Sequence, residues 1–425
     1  MKKAKQKILL FDCWTKGLIH IHRLKNELFN AEIDIVLLHT GSWGDEKYRD
    51  THEFIEGIEV FDVGHFSSPS SALESIDPSV VLFLSMDPIM HRGFNRLAQS
   101  KRIKTILLYH GMHSVFHSLS SERRALKGFF KYLFLRIRGG IIRNLFGYIQ
   151  ILVKTSHSFN DYMNLTRDIF NKVIGKDIKV SRDDGTPDHI CVFNRFDIDH
   201  AKKKYPNCQK INEIGLPDIL RFPNVKNYLG PNLERKKIQQ SKTVIYIGTG
   251  VRSTNMLSFD DHEYFNFLNS IKKKLNEHNY DIHFRLHYSR VNSIESLSRK
   301  NNHNFSMIDD NNFIDIINQS SLAICEPSTA SLLPGFFAKK ICFPVFDVYK
   351  DLKYGNALNS YPFSFLANDL DDLISNLLEK NFEDNKALHE WQSKAVGPLP
   401  ASDFSKRFRL IVLDAINEQK VKWKN

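Results

Sequence analysis

The strongest constraint on this chain is an alternation of short, almost wholly apolar runs with longer segments of helical period. Residues 7–11 read Lys-Ile-Leu-Leu-Phe, and 17–29 follow with Leu18, Ile21, Leu24 and Leu28 at the spacing of one helix face. Further strand signals fall at 33–38, 58–63 and 80–84, and after a helix over 93–98 at 105–109. The alternation restarts with strands at 243–247, 282–286, 322–325 and 341–344, separated by helices that include 261–276 and 313–318. Strands apolar at nearly every position are buried on both faces, which predicts parallel sheets covered by helices, an α/β fold.

At 425 residues the chain exceeds one ordinary core, and domains of about 200 residues are expected. Residues 222–241 carry prolines, asparagines and a polar Glu-Arg-Lys-Lys-Ile-Gln-Gln run, so they read as the linker. The expected division is 1–225, 242–400 and a closing helix in 401–425.

Composition narrows the setting. Five cysteines (Cys13, Cys191, Cys208, Cys325, Cys342) form no CxxC pair, which argues against a disulfide framework or a zinc site and for a reducing compartment. No run approaches the ~18–20 uncharged apolar residues needed to span a bilayer, and the lysine-rich start leads straight into a strand, so a cytoplasmic protein is expected. The net charge of +11 calls for an anionic partner such as nucleic acid, an acidic membrane face or a phosphorylated ligand.

Residues 118–154 sharpen that point. Arg123, Arg124, Lys127 and Lys131 interleave with Phe129, Phe130, Tyr132 and Leu133, and Glu122 is the only acid. A basic, aromatic amphipathic stretch suits the inner face of the cell membrane and an acceptor held there, with Arg123, Arg124, Lys127, Phe130 and Lys131 as the contact residues. An RNA surface and an ordinary helix with a solvated basic face are the alternatives, and no RNP-type motif accompanies the charge.

In open parallel sheets ligands bind beyond the carboxyl ends of the strands, and polar clusters stand at several such ends here. His110-Gly111-Met112 follows the 105–109 strand, and a neutral imidazole there can take a proton from an attacking hydroxyl. Gly248-Thr249-Gly250, with Arg252 close behind, can bind phosphate through backbone amides or form a plain turn. Arg285 and His287 lie two residues apart and share a strand face. Glu326-Pro327-Ser328-Thr329 ends another strand; Glu326 can bind a ribose or, with Ser328, cap the following helix start. No Asp-x-Asp pair stands convincingly at a strand end, although Asp197-Ile198-Asp199 has the spelling and Asp309-Asp310 reads as a loop.

Taken together, His110-Gly111, His287 and Ser328-Thr329 resemble the His-Gly, His-Pro and Ser/Thr motifs of GT-B glycosyltransferases of bacterial surface polysaccharide synthesis. These include the teichoic-acid glycerophosphotransferases and the bacterial sialyl- and Kdo-transferase group. Tyr288 stands where that pattern has proline. The resemblance implies two Rossmann-like domains with parallel sheets facing a central cleft, with no metal and no cofactor. It implies His110 as the base, with His287, Ser328 and Thr329 on the donor phosphate, helped by Gly248, Thr249, Arg252 or Arg285. Asp183-Asp184-Gly185 copies the acidic base motif of the sialyltransferases and makes Asp184 a second candidate base, although it precedes a strand instead of following one and reads better as a surface turn. Retaining GT-B enzymes carry a second glutamate eight positions on, where this chain has Pro334, so inversion is expected. The function implied is sugar transfer from a nucleotide-activated donor (CMP- or UDP-sugar) to a lipid-linked or oligosaccharide acceptor in capsule, O-antigen or lipopolysaccharide synthesis. A CDP-polyol phosphotransferase, a 2-epimerase and a non-catalytic nucleotide-sugar or RNA binder are the alternatives.

Overall fold

The computed structural model describes residues 5–12, 33–43, 52–109, 111–115, 141–155, 158–173, 185–216, 241–249, 259–309, 311–350, 352–378, 384–398 and 403–422. They divide into two compact units, Met1–His110 with Ser120–Pro217 and Pro398–Asn425, and Gly111–Leu119 with Asp218–Gly397. The expected helix over 17–29 and most of the expected linker lie outside the described residues.

The first unit is built on an eight-stranded sheet. Its strands are β1 (Gln6–Asp12), β2 (Ile33–His39), β3 (His52–Ile55), β4 (Ile58–Asp62), β5 (Val80–Phe83), β6 (Lys104–Leu108), β7 (His189–Val192) and β8 (Lys210–Glu213). The order is β3-β4-β2-β1-β5-β6-β7-β8, parallel throughout except for the β3–β4 hairpin. Glu56 and Gly57, at φ 49° and 80°, make the tight turn of that hairpin. Strand β3 is an exposed edge, which explains why no apolar run announced it.

Helices α1 (Pro69–Ile76), α2 (Ile89–Ser100), α3 (Ile141–Thr155), α4 (Phe159–Val173) and α5 (Arg195–Lys204) accompany this sheet. Phe11 stacks on Phe94 of α2 at 4.2 Å between ring centroids and meets Phe83 edge-on. Those contacts bury the strand residues that gave the sequence its periodicity. Asp197, half of the Asp-x-Asp spelling, is buried in the first turn of α5 behind the cap Asn194.

The second sheet has strands β9 (Thr243–Ile247), β10 (Asp281–Arg285), β11 (Ser306–Met307), β12 (Leu322–Cys325), β13 (Lys340–Pro344) and β14 (Ser364–Ala367), in the order β11-β10-β9-β12-β13-β14. All five pairings are parallel. Counted within the unit this is 3-2-1-4-5-6, the doubly wound dinucleotide-fold order, and its switch point lies between β9 and β12. Helices α6 (Asp261–Glu277), α7 (Tyr288–Lys300), α8 (Phe313–Gln319), α9 (Leu333–Phe336), α10 (Asn356–Asn359), α11 (Leu370–Leu378) and α12 (Asn385–Val396) connect or follow the strands. Asp260 and Glu263 start α6 with a reciprocal capping box.

The chain then returns to the first unit, where α13 (Phe404–Lys422) packs against β6. Arg407 donates to the carbonyls of Ile214 and Pro398 at 2.8 and 2.9 Å. Glu418 pairs with Lys104 and Lys210 and stands 3.4 Å from His189. Partial burial opposes its charge, yet the Lys210 bond and the neighbouring cations hold its pKa at about 2. The closing helix is thus an integral piece of the first unit. The short segment 111–115, which ends in a 3-10 turn over His113–Val115, is by contrast fastened into the second. Gly355 N donates to Val115 O at 2.8 Å, and a Cβ on Gly355 would stand 2.1 Å from Ser114 O. Only glycine allows that backbone approach.

Candidate functional site

In the second unit the loops leaving β10, β9 and β12, three adjacent strands, carry His287, Gly248-Thr249 and Glu326 through Thr329. Those residues therefore gather at the carboxyl edge around the switch point. Glu326 ties the β12 loop to the β9 loop and to α6. It is 0% exposed. Tyr246 and Tyr264 donate their hydroxyls to its Oε1 at 2.7 and 2.6 Å, and Thr249 donates both its amide and its hydroxyl to Oε2 at 2.7 and 2.9 Å. Burial first, and then the Glu326 charge, push both phenols well above their ordinary range, so they remain donors. A buried carboxylate needs such a donor set.

The backbone closes the same junction. Glu326 N donates to Ile247 O at 3.0 Å and Gly248 N to Arg285 O at 2.8 Å. A Cβ on Gly248 would lie 2.8 Å from the Tyr264 hydroxyl and 3.0 Å from Leu286, so the glycine clears space for the phenol. The four donors occupy the lone-pair sites of the Glu326 carboxylate, and the ribose contact expected of it has none left. Nor does Glu326 cap the next turn. Ser328 does, accepting from Ser331 N at 3.3 Å.

Thr329 reaches the segment that follows His110: its Oγ1 accepts from Met112 N at 3.1 Å. An accepting hydroxyl keeps its own proton to donate, as a phosphate contact requires. His287 is half-buried. Burial, then Arg285 and Arg290, hold its pKa below the usual imidazole value against the opposing pull of Glu326. It is therefore neutral near pH 7. Tyr288 opens α7, the first helical position at which proline is favoured, so the departure from His-Pro preserves the backbone role. Arg285 lies over the Phe313 ring, 4.4 Å from its centroid.

His110, Asp184, Arg252, Arg123, Arg124, Lys127, Phe130 and Lys131 lie outside the described residues. Cys191, Cys208, Cys325 and Cys342 are buried free thiols. Among the described residues one grouping, His189 with Asp414 and Glu418, has metal-ligand spacing. Its Glu418 is already held by Lys104 and Lys210.

Sequence reasoning missed three members of the site. Tyr246 is hidden in an apolar strand, Tyr264 in a helix face, and Arg290 sits one turn beyond His287. It also missed a cluster at the carboxyl edge of the first sheet. There buried Asp62 accepts from Ser42 N at 2.9 Å and Gly64 N at 2.7 Å, with His39 at 3.1 Å and the Ser42 hydroxyl also bonded. Burial works against the Asp62 charge, but the bonds to His39 and Ser42 outweigh it and lower the pKa. The cluster holds the loops after β2 and β4 together.

No protein-family profile matches the sequence, and no curated protein does. Solved structures do match. The wall teichoic acid polymerase TagF is 14% identical over 98% of this chain and 90% of that one, with a TM-score of 0.50. UDP-N-acetylglucosamine 2-epimerase from Rickettsia bellii is 12% identical over 97% of this chain and 98% of its own, with a TM-score of 0.49. Identities this low speak to fold alone. Its two doubly wound parallel sheets and the polymerase likeness give this chain the GT-B fold.

Proposed function

We propose that the chain is an inverting, metal-independent glycosyltransferase. It moves a sugar from a CMP- or UDP-activated donor to a lipid-linked or oligosaccharide acceptor of surface polysaccharide synthesis. The observation that carries this reading is the switch point of the second unit, where neutral His287 stands at the end of β10 and Ser328 and Thr329 at the end of β12, the two strands that flank β9. A departing nucleotide phosphate gains negative charge, and fixed N–H and O–H donors stabilise it without a metal. His110 takes the acceptor proton in this scheme.

The acceptor side draws support from the first unit. An open cavity of about 230 Å³ is lined by Trp43, Phe66, Phe146 and Arg143, among others. Aromatic faces beside a cation suit a sugar ring or a lipid phosphate. Phe146 and Val153 on α3, within the basic 118–154 stretch, and Phe159 and Met163 on α4, just beyond it, are exposed large apolar side chains. Such a surface fits peripheral contact with an anionic membrane. Among the described residues no helix is long and apolar enough to cross a membrane.

A thermal-shift screen of the full chain against CMP, CDP, UDP, GDP and their sugars tests the reading. A ligand that binds only the native state raises melting by mass action, by about 2.7 kcal/mol of stability at a hundredfold excess over Kd. One nucleotide class raising the melting temperature supports it, and no response to any of them contradicts it. A response confined to CDP would redirect the reading to polyol-phosphate transfer.

A further inference from the structure

Arg290 occupies the third position of α7, its amide donating to His287 O at 2.8 Å. Its side chain turns inward and the residue is only 3% exposed. The guanidinium carbon lies 4.2 Å from the centroid of the Tyr264 ring and 5.0 Å from that of Phe259. Neither Nε, Nη1 nor Nη2 has a hydrogen-bond partner among the described residues. Aromatic faces offset part of the charge of such a cation, but they do not satisfy the in-plane N–H fork of a guanidinium. Glu326, the carboxylate bonded to the Tyr264 hydroxyl, has its oxygens filled by Tyr246, Tyr264 and Thr249. A buried arginine with all its nitrogens unmatched is costly to keep, and replacement by an apolar residue would remove that cost.

We propose that Arg290, with the first turn of α7, is the receiving group of an oxyanion site of the phosphate class in the second unit. The planar fork matches two oxygens of a phosphate at once, and the start of α7 adds the partial positive charge of a helix N-terminus. His287, at the step into the same helix, lies close enough to feel the Arg290 charge. The proposal rests on the nucleotide reading above for the carrier of the phosphate, and on the Arg290 geometry for the anion class. It adds a residue that none of the sequence motifs contains.

The test is calorimetric titration of the full chain with inorganic pyrophosphate, and separately with CDP, UDP and GDP, in the wild type, Arg290→Met and Arg290→Lys. The expected result is pyrophosphate binding by the wild type, weakened on the order of tenfold to a hundredfold in Arg290→Met, the size of effect given by a charged hydrogen bond. Arg290→Lys should retain an intermediate affinity, because its charge survives without the fork. Melting of Arg290→Met should be unchanged or raised, which a purely structural arginine would not allow. If Arg290→Met binds pyrophosphate and nucleotides as the wild type does, the proposal is overturned while the nucleotide reading stands. If pyrophosphate binds through Arg290 but no nucleoside diphosphate binds, the anion site stands and the nucleotide reading falls. Failure of the wild type to bind any of these ligands overturns both. Should Arg290→Met not fold, the wild-type and Arg290→Lys affinities decide, and equal affinities for these two would sink the proposal.

Discussion

Replacing Glu326 by glutamine keeps the shape of the switch point and removes its charge. The amide oxygen can still accept from Tyr246 and Tyr264, but the amide nitrogen then faces Thr249 N–H, donor against donor, where the carboxylate accepts at 2.7 Å. Leaving that buried amide unmatched costs about 1–3 kcal/mol. The two phenol bonds lose their charge assistance, about 1 kcal/mol each. Desolvation of a buried carboxylate, several kcal/mol in effective terms, is partly regained, and the net loss should be about 2 kcal/mol. At roughly 2–4 °C per kcal/mol for a unit of this size, the transition of the second unit should fall by about 4–8 °C. Differential scanning calorimetry reads that shift, and hydrogen exchange across 243–249 reports the opening of the Thr249 amide. A Glu326→Gln protein that melts within about 1 °C of the wild type, with Thr249 still protected, would refute the view that this carboxylate ties the β12 loop to the β9 loop and α6.

Two other predictions follow from the packing and charges. Gly248→Ala places a Cβ 2.8 Å from the Tyr264 hydroxyl, so it should cost about 1–3 kcal/mol. Tyr264→Phe in that background should recover part of the loss, and a double-mutant cycle with no coupling would contradict the contact. His200 has its pKa pushed down by burial, first, and by nearby lysines to about 4, from an ordinary 6.5. The unfolded chain therefore binds a proton that the folded chain refuses between those values. Stability should be full above pH 6.5 and fall as the pH drops toward 4. Melting temperatures from pH 7 to 4.5 check the slope, and His200→Gln should flatten it; an unchanged slope would argue against a buried neutral His200.

Much of the fold was legible because parallel strands buried on both faces leave continuous apolar runs. The strands at 243–247 and 322–325 match the expected limits, and others differ by a residue. What escaped lacked that signal. Edge strand β3 is four residues long and exposed, and β11 is only two residues long. The return of α13 to the first unit depends on Arg407 and Glu418, whose partners are distant in sequence. The site was legible where a motif sits at a strand end, as at His287 and Ser328-Thr329. Glu326 was visible as a polar residue at the right place, but its task was not, because Tyr246 and Tyr264 come from elements whose periodicity reads only as core. Arg290 was silent, since helical position alone does not reveal that a charged side chain turns inward.

The most direct test of the central claim is release of free nucleotide from the nucleotide sugar that the binding screen selects, with acceptor present, by the wild type and by His110→Ala. The account predicts steady release by the wild type and a fall of about 10²–10⁴-fold in the variant, the usual contribution of a positioned base, with nucleotide binding retained. Turnover undiminished in His110→Ala, or no turnover of any nucleotide sugar by the wild type, would contradict it.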